Sequence, residues 1–71
     1  MANIKNVIDE KLLRYIPKKH RKHIVELERE YGNISFVMEW EDGFQRSRMA
    51  DNIAEMKEMI ETLEEDREAQ F

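Results

Sequence analysis

The stretch that decides the fold is Ile34-Ser35-Phe36-Val37-Met38-Glu39-Trp40-Glu41-Asp42-Gly43-Phe44-Gln45-Arg46-Ser47-Arg48-Met49. Ile34, Phe36, Met38 and Trp40 alternate with Ser35, Val37, Glu39 and Glu41, the two-residue period of a strand with one buried face. Asp42-Gly43 follows, a dipeptide suited to a tight hairpin turn. The expected hairpin pairs 34–41 with 44–49. A two-residue turn sets Glu41 opposite Phe44, Trp40 opposite Gln45, Glu39 opposite Arg46, Met38 opposite Ser47 and Val37 opposite Arg48. One face then carries Ile34, Phe36, Met38, Trp40 and Met49. Glu39 across from Arg46 adds an opposite-charge pair worth about 0.2–1 kcal/mol.

Outside the hairpin the period changes. Ile4, Val7, Ile8, Leu12 and Tyr15 recur at helical spacing and predict a helix over 4–15, with Asn3 as cap and Pro17 as its end. Pro17 is also a good first residue for a second helix, expected over 17–31 with Ile24, Leu27 and Tyr31 as a buried stripe that can extend back to His20, and Gly32 as its C-cap. A third helix is expected over 52–66. There Asn52 and Glu55 form a capping-box pattern, and Ile53, Met56, Ile60 and Leu63 form the apolar stripe. Past Leu63 the acidic run Glu64-Glu65-Asp66-Arg67-Glu68 predicts a frayed tail. The fold class is thus α+β: one small domain over 1–71, helix-helix-β-hairpin-helix (ααββα), with a two-stranded antiparallel sheet. A lone hairpin is marginal in water, so the helices must cover it or a second copy must extend the sheet.

The 71 residues include 41% hydrophobic and 39% charged side chains, two glycines, one proline and no cysteine, with a net charge of −4. That is apolar enough for a core and argues against wholesale disorder. Without cysteine there is no disulfide framework, thiolate nucleophile or thiolate metal site. No apolar run reaches the roughly 18 residues of a membrane span, and Lys5, Asp9 and Glu10 interrupt the start of the chain. A cytoplasmic protein is expected. The catalytic inventory is poor, since Ser35, Ser47 and Thr62 lie in no nucleophile motif and no glycine-rich loop is present to hold phosphate. No enzyme, cofactor or metal is expected.

Charge is segregated along the chain. Lys11, Arg14, Lys18, Lys19, Arg21 and Lys22 fall between residues 11 and 23 with no acid among them. From Asp51 onward eight acids stand against Lys57 and Arg67, a balance of −6. The basic cluster reads as a patch for phosphate backbone or an acidic protein, or as a solvated face neutralised by the acidic third helix. Glu58, Glu61, Glu65 and Glu68 form a stripe opposite the apolar one: a solvated face, or carboxylates that imitate nucleic-acid phosphates. His20 and His23, three apart, read as structural or surface residues rather than as half of a metal site. Met38, Met49, Met56 and Met59 serve as pliable core or as an adaptable contact surface. Trp40 is a core anchor or an interface hot spot.

The segment Leu13-Arg14-Tyr15-Ile16-Pro17-Lys18-Lys19, the helix expected after it, and Trp40-Glu41-Asp42-Gly43 before a short acidic helix carry a resemblance. In these the chain resembles small uncharacterised proteins encoded by phages and mobile elements of Gram-positive bacteria. Some small acidic phage proteins block host defence nucleases, CRISPR effectors included, so the resemblance implies an inhibitor, and it transfers no residue role.

Taken together, these features lead to a non-catalytic protein-binding accessory module, with Trp40, Met49, Met56 and Met59 as contacts and Glu58, Glu61 and Glu65 as electrostatic steering. The alternatives are a nucleic-acid-binding regulatory module using Lys11, Arg14, Lys18, Lys19, Arg21 and Lys22, and a homodimer joining the basic helix of one chain to the acidic helix of another.

Overall fold

The computed structural model describes residues 7–69. Its elements are α1 (Glu10–Leu13), α2 (Lys18–Arg21), β1 (Ile24–Glu30), β2 (Asn33–Glu39), β3 (Gln45–Ala50) and α3 (Ile53–Ala69). The three strands form one antiparallel sheet in the order β1-β2-β3. The α+β class stands; the two-stranded sheet and the ααββα order do not, because the second half of the expected 17–31 helix is a strand.

A bulge explains that substitution of strand for helix. Ile24 pairs with Met38, yet Glu26 pairs with Val37 and Leu27 with Phe36, so Val25 is an extra residue in β1. The extra residue places the buried side chains Ile24 and Leu27 three apart rather than two. Three is also a helical spacing. Tyr31, expected in the buried stripe, is fully exposed. It joins Gly32 in a two-residue turn, with φ of 53° and 85°, between the paired residues Glu30 and Asn33. Two consecutive positive φ values are those of a type I′ hairpin, whose twist matches the strands it joins.

The Asp42-Gly43 turn lies where expected, but its loop holds three residues. The Gly43 N–H donates to the Trp40 carbonyl (2.8 Å), and the Trp40 N–H to the Phe44 carbonyl (2.9 Å), with Gly43 at φ 87°. This closes a turn followed by a left-handed glycine, the usual three-residue hairpin. The register therefore slides by one residue. Glu39 faces Gln45, Met38 faces Arg46 and Phe36 faces Arg48. A one-residue slide exchanges the faces of a strand. Met49, expected beside Phe36, instead shares the opposite face with Ser35 and is 50% exposed.

At the other side of the sheet the expected 4–15 helix is shorter. Asn3 and Ile4 lie outside the described residues. Ile8 is extended and pairs parallel with Leu27; the Leu27 N–H donates to the Val7 carbonyl and the Asp9 N–H to the Leu27 carbonyl, both at 2.7 Å. The cap of α1 is Asp9, whose carboxylate accepts from the N–H groups of Lys11 (2.9 Å) and Leu12 (3.4 Å).

α3 begins on the predicted cap, since the Glu55 N–H donates to the Asn52 side chain (2.8 Å) and the Asp51 N–H to the Glu55 carboxylate (2.7 Å). It does not fray after Leu63; it continues to Ala69, with Glu64 and Arg67 buried. The core lies between α3 and one sheet face: Ile24, Leu27, Ile34, Phe36, Met38 and Ala50 from the strands, Met56, Ile60 and Leu63 from α3. Leu12 and Ile16 close one end and Trp40 joins the same cluster.

Candidate functional site

α2 is too short to bury a face of its own, and it is fastened to α3 by histidines. His20 is buried, with Nδ1 2.7 Å from Glu64 Oε2 and Nε2 2.9 Å from Glu61 Oε2. His23, just before β1, places Nδ1 2.9 Å from the same Glu64 oxygen and Nε2 3.1 Å from Glu41. The Trp40 indole N–H donates to the other Glu64 oxygen at 2.8 Å. Three donors from α2, the start of β1 and the end of β2 thus meet on one carboxylate.

Burial alone would push the Glu64 carboxyl up. Hydrogen bonds from His23, Trp40 and His20, with the charge of His23, outweigh it and hold Glu64 below its ordinary range. Beyond Trp40, the Arg67 guanidinium meets Asp42 at 2.6 Å and covers the Phe44 ring at 4.4 Å. That hydrogen bond, and another from the Phe44 N–H, hold the Asp42 carboxyl below its ordinary range. The cluster is a buried clasp. Among the described residues no group of three or more His, Cys, Asp or Glu side chains has a metal-holding arrangement.

The expected contact residues are not brought together. Trp40 (7% exposed) and Met56 (0%) belong to the core, because their apolar surface closes the space between α3 and the sheet. Met49 lies on the far sheet face, while Met59 and Glu58 line a depression beside Arg48. Glu61 is drawn to His20, and Glu65 is exposed. The basic residues do share one region. Arg21 donates from Nε to the Ile16 carbonyl (2.8 Å) and from Nη2 to the Arg14 carbonyl (3.3 Å), which ties the α1 end to α2. Lys11, Arg14, Lys18, Lys19 and Lys22 are exposed, and among the described residues none of the six cations is in an ion pair.

One surface was hidden by the helical reading of 24–30. Partners across the sheet share a face, so Glu26, Glu28, Glu30, Ser35, Val37, Glu39, Ser47 and Met49 all project away from α3. Val25 and Val37 line a depression of about 410 Å3 there, together with Glu26, Glu39 and Arg46. The carboxylates on this face have no cation in an ion pair among the described residues. Alternation of acids in Glu26-Leu27-Glu28-Arg29-Glu30 was the signal available in the sequence.

No protein-family model matches the chain, and no curated protein or solved structure shows significant similarity to it. No helix among the described residues is long and apolar enough to cross a membrane.

Proposed function

We propose that this chain is a non-catalytic accessory module that docks on a basic protein surface through the open face of its sheet. The observation that carries the reading is the composition of that face: Glu26, Glu28, Glu30 and Glu39 around Val25, Val37 and Met49, projecting away from α3. Apolar side chains among four carboxylates suit a complementary basic protein surface, steering encounter and then excluding water. Proteins that hold nucleic acid present such basic surfaces. With the resemblance to phage and mobile-element proteins, the reading becomes inhibition of a nucleic-acid-binding host protein such as a CRISPR effector, in the cytoplasm. The test is co-purification from the source cell with Glu26→Lys/Glu28→Lys and, separately, Lys18→Glu/Lys22→Glu. A stoichiometric basic partner lost only with the first variant supports the reading; no partner, or one lost only with the second, removes it.

A second reading is favoured by the cations of α1 and α2, none of which is in an ion pair among the described residues. There the patch contacts phosphates, and Lys18→Ala with Lys22→Ala weakens DNA or RNA binding equally for all sequences and flattens its salt dependence. No gel shift at low salt eliminates it.

A further inference from the structure

β3 is the outer strand of the sheet, and the backbone hydrogen bonds fix which of its groups face outward. Trp40 bonds Phe44, Glu39 donates to His23 across β1, and Leu27 directs both its groups to residues 7–9. In an antiparallel ladder bonded and non-bonded pairs alternate. Arg46, Arg48 and Ala50 therefore bond to β2, while Gln45, Ser47 and Met49 point their N–H and C=O groups to the open edge. Two of those three carbonyls are already occupied by the chain's own side chains. Arg46 Nη1 donates to the Gln45 carbonyl (3.0 Å) and Arg48 Nη1 to the Ser47 carbonyl (2.9 Å). Among the described residues neither arginine is in an ion pair.

We propose that the open edge of β3 is a strand-addition site for an extended peptide with carboxylates at alternate positions, opposite Arg46 and Arg48. A carboxylate draws each guanidinium off the carbonyl that it covers. The trade replaces a bond to a neutral acceptor with a charge-assisted one and releases the carbonyl to the incoming N–H. A strand without acids must displace both guanidinium groups with nothing in return. A second copy of this chain fits worse still, since antiparallel pairing about Ser47 sets Arg46 against Arg48 twice, and like charges directly opposite destabilise a ladder. Beside the edge, two depressions of about 240 and 200 Å3 between β3 and α3 share Arg48, Leu63 and Asp66. Phe44 lies at one end, Glu58 and Met59 at the other. Glu58 and Asp66 on the α3 wall repel further acids and confine the carboxylates to the two arginine positions. The site uses the outward backbone groups of β3; Gln45, Arg46 and Ser47 also line the depression on the acidic face, and Glu26→Lys/Glu28→Lys, which leaves the β3 edge untouched, separates the two.

The test is NMR titration of the 15N-labelled full chain with two capped peptides of alternating Glu and Val, and of alternating Lys and Val. The Glu peptide should shift and slow exchange of the Gln45, Ser47 and Met49 amides; the Lys peptide should leave them unchanged. Arg46→Gln/Arg48→Gln should weaken the Glu peptide by roughly tenfold, the scale of two exposed charge pairs. Unchanged Leu27 and Phe36 resonances would establish that the variant is folded. Equal response to both peptides, shifts confined to Lys11–Lys22, no response to the Glu peptide, or undiminished binding by the variant each overturns the site.

Discussion

At Glu64 two imidazoles and an indole converge on a carboxylate that is only 7% exposed. Glu64→Gln keeps the shape but replaces one acceptor oxygen with an N–H2 group, which faces donors. The expected loss is about 3 kcal/mol, the scale of a broken buried charged hydrogen-bond group, measured by urea unfolding. The pH dependence follows from the same atoms. Because Glu64 is held low, its stabilisation is fully present above the ordinary carboxylate range and is lost as pH falls through the depressed value. The wild type should therefore lose stability as pH falls through that depressed value, and Glu64→Gln should flatten this acid limb. An acid limb of equal slope in both proteins would contradict the assignment. Arg67 and Asp42, beside Trp40, contribute to the same limb through their own pair.

At the scale of elements, the turns and bulges account for what could and could not be read from residues alone. The β2 strand and the Asn52-Glu55 cap were legible because each rests on a local rule: alternation, or a side chain reaching three residues along. β1 was not, because one inserted residue gave its buried positions a helical interval. Glu64 and Arg67 were illegible for a different reason. They continue the helical spacing of Ile60 and Leu63, but as charges whose partners, His20, His23, Trp40 and Asp42, lie far along the chain. The Tyr31-Gly32 turn offers a measurable consequence. Tyr31 holds φ 53° with its side chain in solvent, so Tyr31→Asn should stabilise by about 0.5–1 kcal/mol, asparagine being favoured at that turn position. Gly32→Ala meets no atom within 4 Å, so only the backbone cost of about 1 kcal/mol should appear. Thermal unfolding of both variants measures the pair, and opposite signs are expected.

Over the whole molecule, a chain of 71 residues has little apolar area to spare, and its acidic end supplies part of the closure. A chain ending at Leu63 would lose Glu64 and Arg67, leaving His20, His23 and Trp40 without their common acceptor. It should lose cooperative thermal unfolding, whereas a merely solvated tail could be removed at little cost; circular dichroism on heating separates the two. The same arrangement sorts the charges by partner. The histidines take the acids of α3 that face inward, and the lysines of α1 and α2 remain available to solvent or a partner.

The acidic face and the β3 edge both follow from the three-stranded sheet, and hence from residues 24–30 being a bulged strand. Nuclear Overhauser contacts in the full chain test it directly. Cross-strand contacts between Leu27 and Phe36 and between Ile24 and Met38 are predicted. Successive contacts three residues apart through 24–31, in place of those, would show a helix and contradict it.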